Sequence, residues 1–309
     1  MKPSFSATLS LDFLAEIARN ISLPILSQKI ISTDYSEFRS VSNSFSESIC
    51  YLNDRSNYLG DLSEINGLVI LDSNFLQELD QLNETTSYVC IENPKYFFAA
   101  IYKEIANSEI TNELSSYETR LHQYVDKSAH IARSARIGSD VAIGRNCIIS
   151  EGVCIHDGTK IGDNVFVKDN AVIGGTGFGF AVRKGHPPIR IPHFGGVTIM
   201  DDVEIGSGTT IDRGTFANTL LSSHVKVDNG VHIGHNVKIG ERTILTAHVE
   251  ISGSVNIGSD CWIAPSVAIR EKITIGNNVL VGIGSVVIHD IDENSVVAGV
   301  PARLIREQN

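Results

Sequence analysis

The sequence predicts a mainly β protein, in which a β-solenoid of six-residue repeats follows a small α/β domain. From position 131 onward an aliphatic residue recurs at every sixth position, whereas the first hundred or so residues follow a different pattern. A period of six fits neither an α-helix, which repeats at about 3.6 residues, nor a single strand, which repeats at about two. Such a unit supplies one short strand and one turn, and three units close a triangular coil of about 18 residues.

The aliphatic row keeps its phase in three stretches, and about 24 units predict about eight coils. Glycine often follows the aliphatic residue, as at Gly138 and Gly240, which suits a tight corner. The two interruptions, residues 174–198 and the step from Ile211 to Leu221, are predicted loops. The row consists of Ile131, Ile137, Ile143, Ile149, Ile155, Ile161, Val167 and Ile173; then Ile199, Ile205 and Ile211; then Leu221, Val227, Ile233, Ile239, Leu245, Ile251, Ile257, Ile263, Ile269, Ile275, Val281 and Val287.

The N-terminal part has the signals of an α/β domain. Ser10 is a candidate cap for an amphipathic helix, and Asn93-Pro94 has the cap-then-proline arrangement of a second helix start. Short apolar runs at 67–71 and 88–91 between them are predicted strands. The predicted organisation is an α/β domain at 1–106, a polar linker at 107–120, and a solenoid at 121–309 with a loop at 174–198 and a C-terminal cap at 291–309.

Composition excludes several classes of protein. The 309 residues carry a net charge of -11, so binding to a nucleic-acid polymer or to an anionic membrane surface is not expected. No stretch has the apolar length of a membrane span, and the N-terminus lacks the features of a signal peptide. The five cysteines form no CxxC motif, which favours a reduced, cytoplasmic setting.

His235 is the leading catalytic candidate in the repeat region. It follows the inward-pointing Ile233 by two positions, so its side chain is expected to project from the coil. An imidazole titrates near neutral pH and can serve as a general base. Asp228, one repeat earlier, is a candidate to hold the ring in one tautomer. Taken alone, a surface histidine more often has no function, so the case for a catalytic His235 depends on the surrounding motifs.

Both predicted loops carry residues suited to binding. The longer one contains GGTGFGF and then IRIPHFGG, and long loops on a rigid scaffold often bind ligands. The shorter one contains TIDRGT, in which Asp212 and Arg213 could pair with each other or meet a substrate. For Asp212 a structural ion pair is the expected use.

The repeat resembles that of the hexapeptide-repeat acyltransferases. This resemblance implies a left-handed parallel β-helix, a homotrimer, and active sites in clefts shared by neighbouring subunits. More narrowly, GFGF, TTIDRGT, KVDNGVHIGHN and ISGS occur in the order seen in the UDP-3-O-acylglucosamine N-acyltransferases of lipid A synthesis. The ENPKY helix start and the segment ICYLNDRSNY are similar to that family's uridine-binding domain.

The resemblance implies roles for particular residues. His235 takes the place of the general base, with Asp228 to orient it and the Gly253 amide to stabilise the oxyanion. No metal is implied. The residues expected at the nucleotide-sugar substrate are Tyr51, Asn53, Asp54, Tyr58, Phe178, Phe180, His193, Asn236 and His248.

The C-terminal end departs from the lipid A enzymes, which finish with a helical tail for acyl carrier protein. Here the chain closes with SVVAGVPARLIREQN, which looks like the ending of the acetyl-CoA-dependent members, including the nucleotide-sugar acetyltransferases. In those members the Gly-Val-Pro-Ala-Arg turn lies beside the coenzyme, and arginines can bind its phosphates. The residues expected at the co-substrate are Ile283, Ser285, Pro301, Arg303 and Arg306.

The sequence therefore predicts an N-acyltransferase that moves an acyl group, acetyl in particular, from a CoA thioester to the amine of a UDP-linked amino sugar. The product would serve the synthesis of cell-surface polysaccharide or lipopolysaccharide, and no permanently bound cofactor is expected. The alternative is an acyl carrier protein-dependent UDP-3-O-acylglucosamine N-acyltransferase. A zinc-dependent γ-type carbonic anhydrase is a weaker alternative, carried only by the spacing of His232 and His235. A structural or ice-binding solenoid is disfavoured by the irregular, charged outward positions.

Overall fold

The computed structural model describes residues 7–31, 34–35, 37–38, 44, 48–53, 60–106 and 124–308. These residues form two compact units. The first unit takes in Met1–Leu114 together with Gly179–Phe194, and the second takes in Ser115–Phe178 and Gly195–Asn309. Most of the predicted loop 174–198 thus belongs to the N-terminal unit.

The first unit is α/β, as the sequence predicts. A five-stranded sheet has the order β2-β7-β6-β5-β4, with the edge strand β2 antiparallel and the other neighbours parallel. The strands are β1 Ala7–Thr8, β2 Ile25–Lys29, β3 Asp34–Tyr35, β4 Glu37–Phe38, β5 Ser48–Leu52, β6 Leu68–Leu71 and β7 Ser87–Ile91, with β17 Phe180–Ala181 and β18 Ile189–Arg190 from the later segment.

Two α-helices begin at the predicted caps. In α1, Leu11–Asn20, the Ser10 hydroxyl accepts a hydrogen bond from the Phe13 N–H at 3.2 Å. Helix α2, Pro94–Ala106, follows Asn93, whose side-chain oxygen accepts from the Tyr96 N–H at 3.2 Å. Short 3₁₀ helices span Leu62–Glu64, Ser73–Phe75 and Leu79–Gln81.

The later segment is bound to this unit by long-range contacts. Arg183 donates to the carbonyl of Ser22 at 3.0 Å, and the Tyr96 hydroxyl donates to the carbonyl of Pro187 at 2.9 Å. The Tyr96 ring also meets the His186 ring edge-on, with 6.2 Å between centroids. Residues 179–194 are therefore a part of the N-terminal unit's fold and not a free insertion.

The second unit is a parallel β-solenoid with three sheets, called here faces A, B and C. Face A contains β8 Tyr124–Val125, β11 Ala142–Ile143, β14 Lys160–Ile161, β19 Val197–Ile199, β22 Thr219–Leu221, β25 Lys238–Ile239, β28 Asn256–Ile257 and β31 Thr274–Ile275. Face B contains β9 His130–Ile131, β12 Ile148–Ile149, β15 Phe166–Val167, β20 Glu204–Ile205, β23 Lys226–Val227, β26 Ile244–Leu245, β29 Trp262–Ile263, β32 Leu280–Val281, β34 Ser295–Ala298 and the antiparallel β35 Arg303–Glu307. Face C contains β10 Arg136–Ile137, β13 Cys154–Ile155, β16 Val172–Gly175, β21 Thr210–Asp212, β24 His232–Ile233, β27 Glu250–Ile251, β30 Ala268–Ile269 and β33 Val286–Val287.

The predicted period sets the register of this solenoid. Ile233 pairs with Ile251, and Ile251 with Ile269, so each coil advances the chain by 18 residues within the regular region. The second interruption lengthens the step, since Ile211 pairs with Ile233. The aliphatic residues form a continuous buried core, and each contributes about 1.5–3 kcal/mol of burial free energy. That core contains no aromatic residue among the described positions, because a narrow triangular interior has little room for rings.

Candidate active site

Both interruptions leave the solenoid at the same corner, the one that follows face C and precedes face A. We call it the C–A corner. The chain departs after β16 at Gly175 and returns at β19, and the second loop, 213–218, follows β21 directly. His235 follows β24 at this corner, one coil further on. The points at which both loops leave the solenoid thus share a corner with the leading catalytic candidate.

Asn236 holds the second loop against the next coil. Its side-chain oxygen accepts from the Thr215 N–H at 2.7 Å, while its side-chain amide donates to the Thr215 hydroxyl at 3.1 Å. The backbone N–H of Asn236 donates to the Thr219 hydroxyl at 3.0 Å. With φ at 61°, Asn236 occupies the left-handed region that asparagine tolerates. The expected substrate residue Asn236 therefore fixes the loop beside His235.

The His235 ring lies over the backbone of Gly253, one coil later at the same corner. A Cβ atom on Gly253 would lie 2.6 Å from His235 Cε1 and 2.7 Å from Nε2, so only glycine leaves room for the ring. His235 itself is half-buried. Among the described residues, no acceptor takes the Gly253 N–H. An imidazole and a backbone N–H therefore adjoin each other, an arrangement that suits general-base catalysis with stabilisation of an oxyanion.

Three polar side chains on face C, in the strands that precede the C–A corner, lie close to one another. The Thr210 hydroxyl and His232 Nδ1 are 2.8 Å apart, and His232 Nε2 is 3.9 Å from an Asp212 carboxylate oxygen. Burial raises the pKa of the Asp212 carboxyl, and the nearby His232 opposes that rise. Asp212 thus lies beside His232 of the next coil, while the Arg213 guanidinium donates to the Asp157 carbonyl.

Asp228 and His248 lie at a different corner, the one between faces B and C. Asp228 follows β23, is exposed, and accepts the Asn229 N–H at 2.7 Å. His248 follows β26 one coil later, with a left-handed φ of 59°. One side of the triangular coil, strand β24, separates these residues from His235. Within one chain the structure does not bring them together with the imidazole.

The expected co-substrate residues also lie away from His235. Ile283, 74% exposed, follows β32 at the B–C corner, and Ser285 is buried there, where its hydroxyl donates to the Gly282 carbonyl at 2.6 Å. Pro301, preceded by a cis peptide bond, joins β34 to β35. Arg303 and Arg306 are exposed on β35, at the C-terminal end of face B.

In the N-terminal unit, the structure describes two of the four residues expected at the uracil. Tyr51 on β5 lies against Phe98, with ring centroids 4.8 Å apart, and burial raises the pKa of its hydroxyl. The Asn53 side-chain oxygen accepts the Lys95 N–H at 3.1 Å and so supports the start of α2. Asp54 and Tyr58 lie outside the described residues.

The three remaining candidates divide between the two units. Phe178, in the solenoid unit, is 84% exposed. Phe180 and His193 belong to the N-terminal unit, where the Arg190 guanidinium lies 4.7 Å from the centroid of the Phe180 ring. His193 is buried, and its Nδ1 lies 3.1 Å from the Ile191 carbonyl oxygen.

Further along the C–A corner, two and three coils beyond His235, lies a shallow cavity of about 370 Å³. Its lining carries both signs of charge and consists of Arg270, Glu271, Lys272, Ile273, His289 and Asp290.

The residues that the structure describes include no cluster of three or more His, Cys, Asp or Glu side chains that could hold a metal ion. Nor do they include a helix both long enough and apolar enough to cross a membrane.

The fold and the repeat define the class of this chain. Residues 218–253 match the family model described as bacterial transferase hexapeptide (six repeats). The chain contains a β-solenoid built from six-residue units, and the matched segment lies within it.

Named proteins with similar sequences are bacterial acyltransferases. The UDP-3-O-acylglucosamine N-acyltransferase of Pseudomonas paraeruginosa is 59% identical over 73 residues, which are 24% of this chain and 20% of that protein. The protein of the same name from Desulfosudis oleivorans is 56% identical over 73 residues, 24% of this chain and 21% of its own. The match thus spans about a fifth of the length of these relatives. Among solved structures, the UDP-N-acetylglucosamine acyltransferase of Francisella novicida has a TM-score of 0.50 and 25% identity, covering 60% of this chain and 68% of its own.

Proposed function

We propose that this protein is an N-acyltransferase that moves an acyl group from a thioester to the amine of a UDP-linked amino sugar. The observation that carries the proposal is the imidazole of His235 lying over Gly253, whose N–H has no acceptor among the described residues. The names of the relatives support the reaction class, although the matched segment is a fifth of their length.

In the proposed reaction, His235 accepts a proton from the sugar amine as that nitrogen attacks the thioester carbonyl. The Gly253 N–H donates to the oxyanion of the tetrahedral intermediate. Collapse of the intermediate forms the amide bond, breaks the carbon–sulfur bond, and releases a thiol that takes the proton from His235. A thioester is already activated, so orientation and a single proton transfer account for most of the required chemistry.

The acceptor we favour is UDP-3-O-acylglucosamine, because that substrate appears in the names of the relatives in two bacteria. This preference favours the acyl carrier protein-dependent N-acyltransferase, given above as the alternative, over the acetyl-CoA-dependent enzyme. The acetyl-CoA reading remains the second candidate because Arg303 and Arg306 are exposed on the terminal strand beside the Pro301 turn.

We also propose a homotrimer with shared sites. His235 lies at the C–A corner, whereas Asp228, His248 and Ile283 lie at the B–C corner of the same chain. A site that uses both sets would need the C–A corner of one copy and the B–C corner of the next. We assign the reaction to the cytoplasm, with which five free thiols are compatible.

The direct experiment incubates the protein with UDP-amino sugars and with either acyl-CoA or acyl carrier protein thioesters, followed by mass spectrometry. We expect an N-acylated nucleotide sugar. Formation with the carrier protein alone selects the lipid A type of reaction, and formation with acetyl-CoA alone selects the second candidate. No product from any pair would contradict the proposal.

A further inference from the structure

The outward side of face C differs in charge from the other two faces of the solenoid. Over the same coils, face A presents Lys160 and Lys238, and face B presents Glu204 and Lys226. The outward row of face C between positions 172 and 286 includes no lysine or arginine, and each of its members is half-buried. That row consists of Val172, Thr210, His232, Glu250, Ala268 and Val286.

The shared site proposed above determines which side of the solenoid faces the threefold axis of the trimer. The C–A corner of each copy meets the B–C corner of the next, and face C is the side of the coil between those two corners. When both ends of one side meet neighbours around a threefold axis, that side faces the axis. Each side spans six residues, at most about 20 Å, so the middle of face C lies about 6 Å from the axis where the corners touch.

His232 is the one imidazole of this row, and one of its nitrogens is available to a ligand. The Thr210 hydroxyl lies 2.8 Å from Nδ1, so Nε2 keeps its lone pair when Nδ1 donates to that hydroxyl. Among the described residues Nε2 makes no hydrogen bond, and an Asp212 carboxylate oxygen lies 3.9 Å from it. A metal ion on Nε2 lies about 6.5 Å from the Cα atom of an extended histidine, which matches the distance from face C to the axis.

A trimer that closes around face C would bury carboxylates that this face does not neutralise. Glu250 faces the axis one coil after His232, and the Asp212 side chain, at the edge of the face, is already only 16% exposed. Burial raises the pKa of the Asp212 carboxyl, and His232 opposes that rise. The guanidinium of Arg213 donates to a backbone carbonyl, and Arg270 is exposed at the C–A corner. Three copies thus bring six carboxylates near three imidazoles, and buried charges are paired or coordinate metals.

We infer that three copies of His232 meet on the threefold axis of the homotrimer and bind one divalent transition-metal ion there. The inference rests on the proposed trimer and goes beyond the proposed reaction, in which this ion takes no part. Imidazole is a preferred ligand of Zn²⁺, Ni²⁺ and Co²⁺. The described residues of one chain hold no cluster of three ligands, so the site is incomplete without the other two copies.

The neighbours of His232 along the row suit a structural metal site. Thr210, one coil earlier, positions the ring through Nδ1, and such outer partners orient metal-binding histidines. Glu250, one coil later, supplies negative charge about 4.8 Å away along the axis. Val172 and Ala268 lie two coils before and after His232, so apolar side chains of three copies would separate the ion from water. The ion would therefore hold the three copies together.

Zinc titration of the intact protein tests the inference. After removal of metal with EDTA, calorimetry with ZnCl₂ and mass spectrometry would give the affinity and the number of ions bound, and light scattering would give the assembly state. We expect one ion for every three chains, and at least about a hundredfold weaker binding by His232→Gln, beyond the effect of an outer partner. Thr210→Val, which keeps all three ligands, should weaken binding about tenfold.

Two further variants show where the zinc binds. His224→Gln is the matched control, because His224 Nδ1 also lies near a carboxylate, 3.7 Å from Asp202, but at the A–B corner, which points away from the axis. It should bind zinc as the wild type does. Cys154→Ser changes the thiol that stands in the same row three coils before His232. Loss of the ion in either of these variants, with binding retained in His232→Gln, would overturn the inference.

The remaining outcomes separate this site from the proposed function. One ion per chain in the wild type, or a protein that is monomeric with and without zinc, would overturn the inference. An active trimer that binds no zinc would also remove the metal site, and it would leave the acyl transfer in place. A trimer that binds one ion through His232 yet transfers no acyl group would keep the site and remove the proposed function.

Discussion

The imidazole of His235 lies over the α-carbon of Gly253, so closely that any side chain at position 253 would enter the ring's volume. One coil of the solenoid separates the two residues in space, and 18 residues separate them along the chain. Because both belong to hydrogen-bonded coils, the imidazole and the Gly253 N–H are held in fixed relative positions, as the proposed reaction requires.

Gly253→Ala should lower kcat about tenfold or more with a small change in thermal stability. The new methyl group would displace the ring, and misplacement by about 1 Å can cost about a hundredfold in rate. Gly175→Ala is the matched control, because its Cβ would meet only a Val172 methyl group at 3.8 Å. Steady-state kinetics with both variants make the comparison. Unchanged kcat in Gly253→Ala would separate Gly253 from the reaction.

Asn236→Gly should loosen the 213–218 loop while leaving the solenoid intact. Glycine adopts the φ of 61° without strain but loses both bonds to Thr215, each worth about 1 kcal/mol. Hydrogen exchange at the Thr215 amide should accelerate. In the control Asn146→Gly, at a similar φ of 56° on another corner, that amide should exchange as in the wild type. Equal protection of Thr215 in both variants would mean that Asn236 does not hold the loop.

Asp212→Asn should stabilise the protein at neutral pH. Burial raises the native pKa of Asp212 above its unfolded value, so the native state binds this proton more tightly and stability falls as pH rises through that interval. The asparagine variant removes this loss, so its advantage should be present at pH 7 and disappear below about pH 4. Urea unfolding at the two pH values measures the difference. A variant less stable than the wild type at pH 7 would show that the pairing with His232 outweighs the cost of burial. The control is Asp169→Asn, at an exposed carboxylate, which should unfold at the same urea concentration as the wild type at both pH values.

Much of the fold follows from the sequence because the solenoid's contacts are periodic. The row through Ile233 and Ile251 fixes the coil, the strand pairing and the outward position of His235. The same period also assigns corners: positions 235, 253, 271 and 289 share one column, whereas Asp228 belongs to another. Within one chain Asp228 and His235 therefore lie at different corners, although they are close in the sequence.

The packing of residues 179–194 could not be read from the sequence. The Tyr96 hydroxyl meets the Pro187 carbonyl across 91 positions, and no period connects them. Likewise Asn53 stands in the segment expected at the uracil, yet its side chain supports the start of α2, a contact that only the folded sheet reveals.

The comparison of His235→Ala with the wild type tests the central claim most directly, using the donor and acceptor pair that gives product. We expect kcat to fall by about a hundredfold or more, the range for loss of a general base, with little change in the circular dichroism spectrum. His224→Ala is the control, because His224 is a histidine of the same solenoid that lies at the corner between faces A and B, beside Asp202. Turnover by His235→Ala at the rate of the wild type would contradict the account.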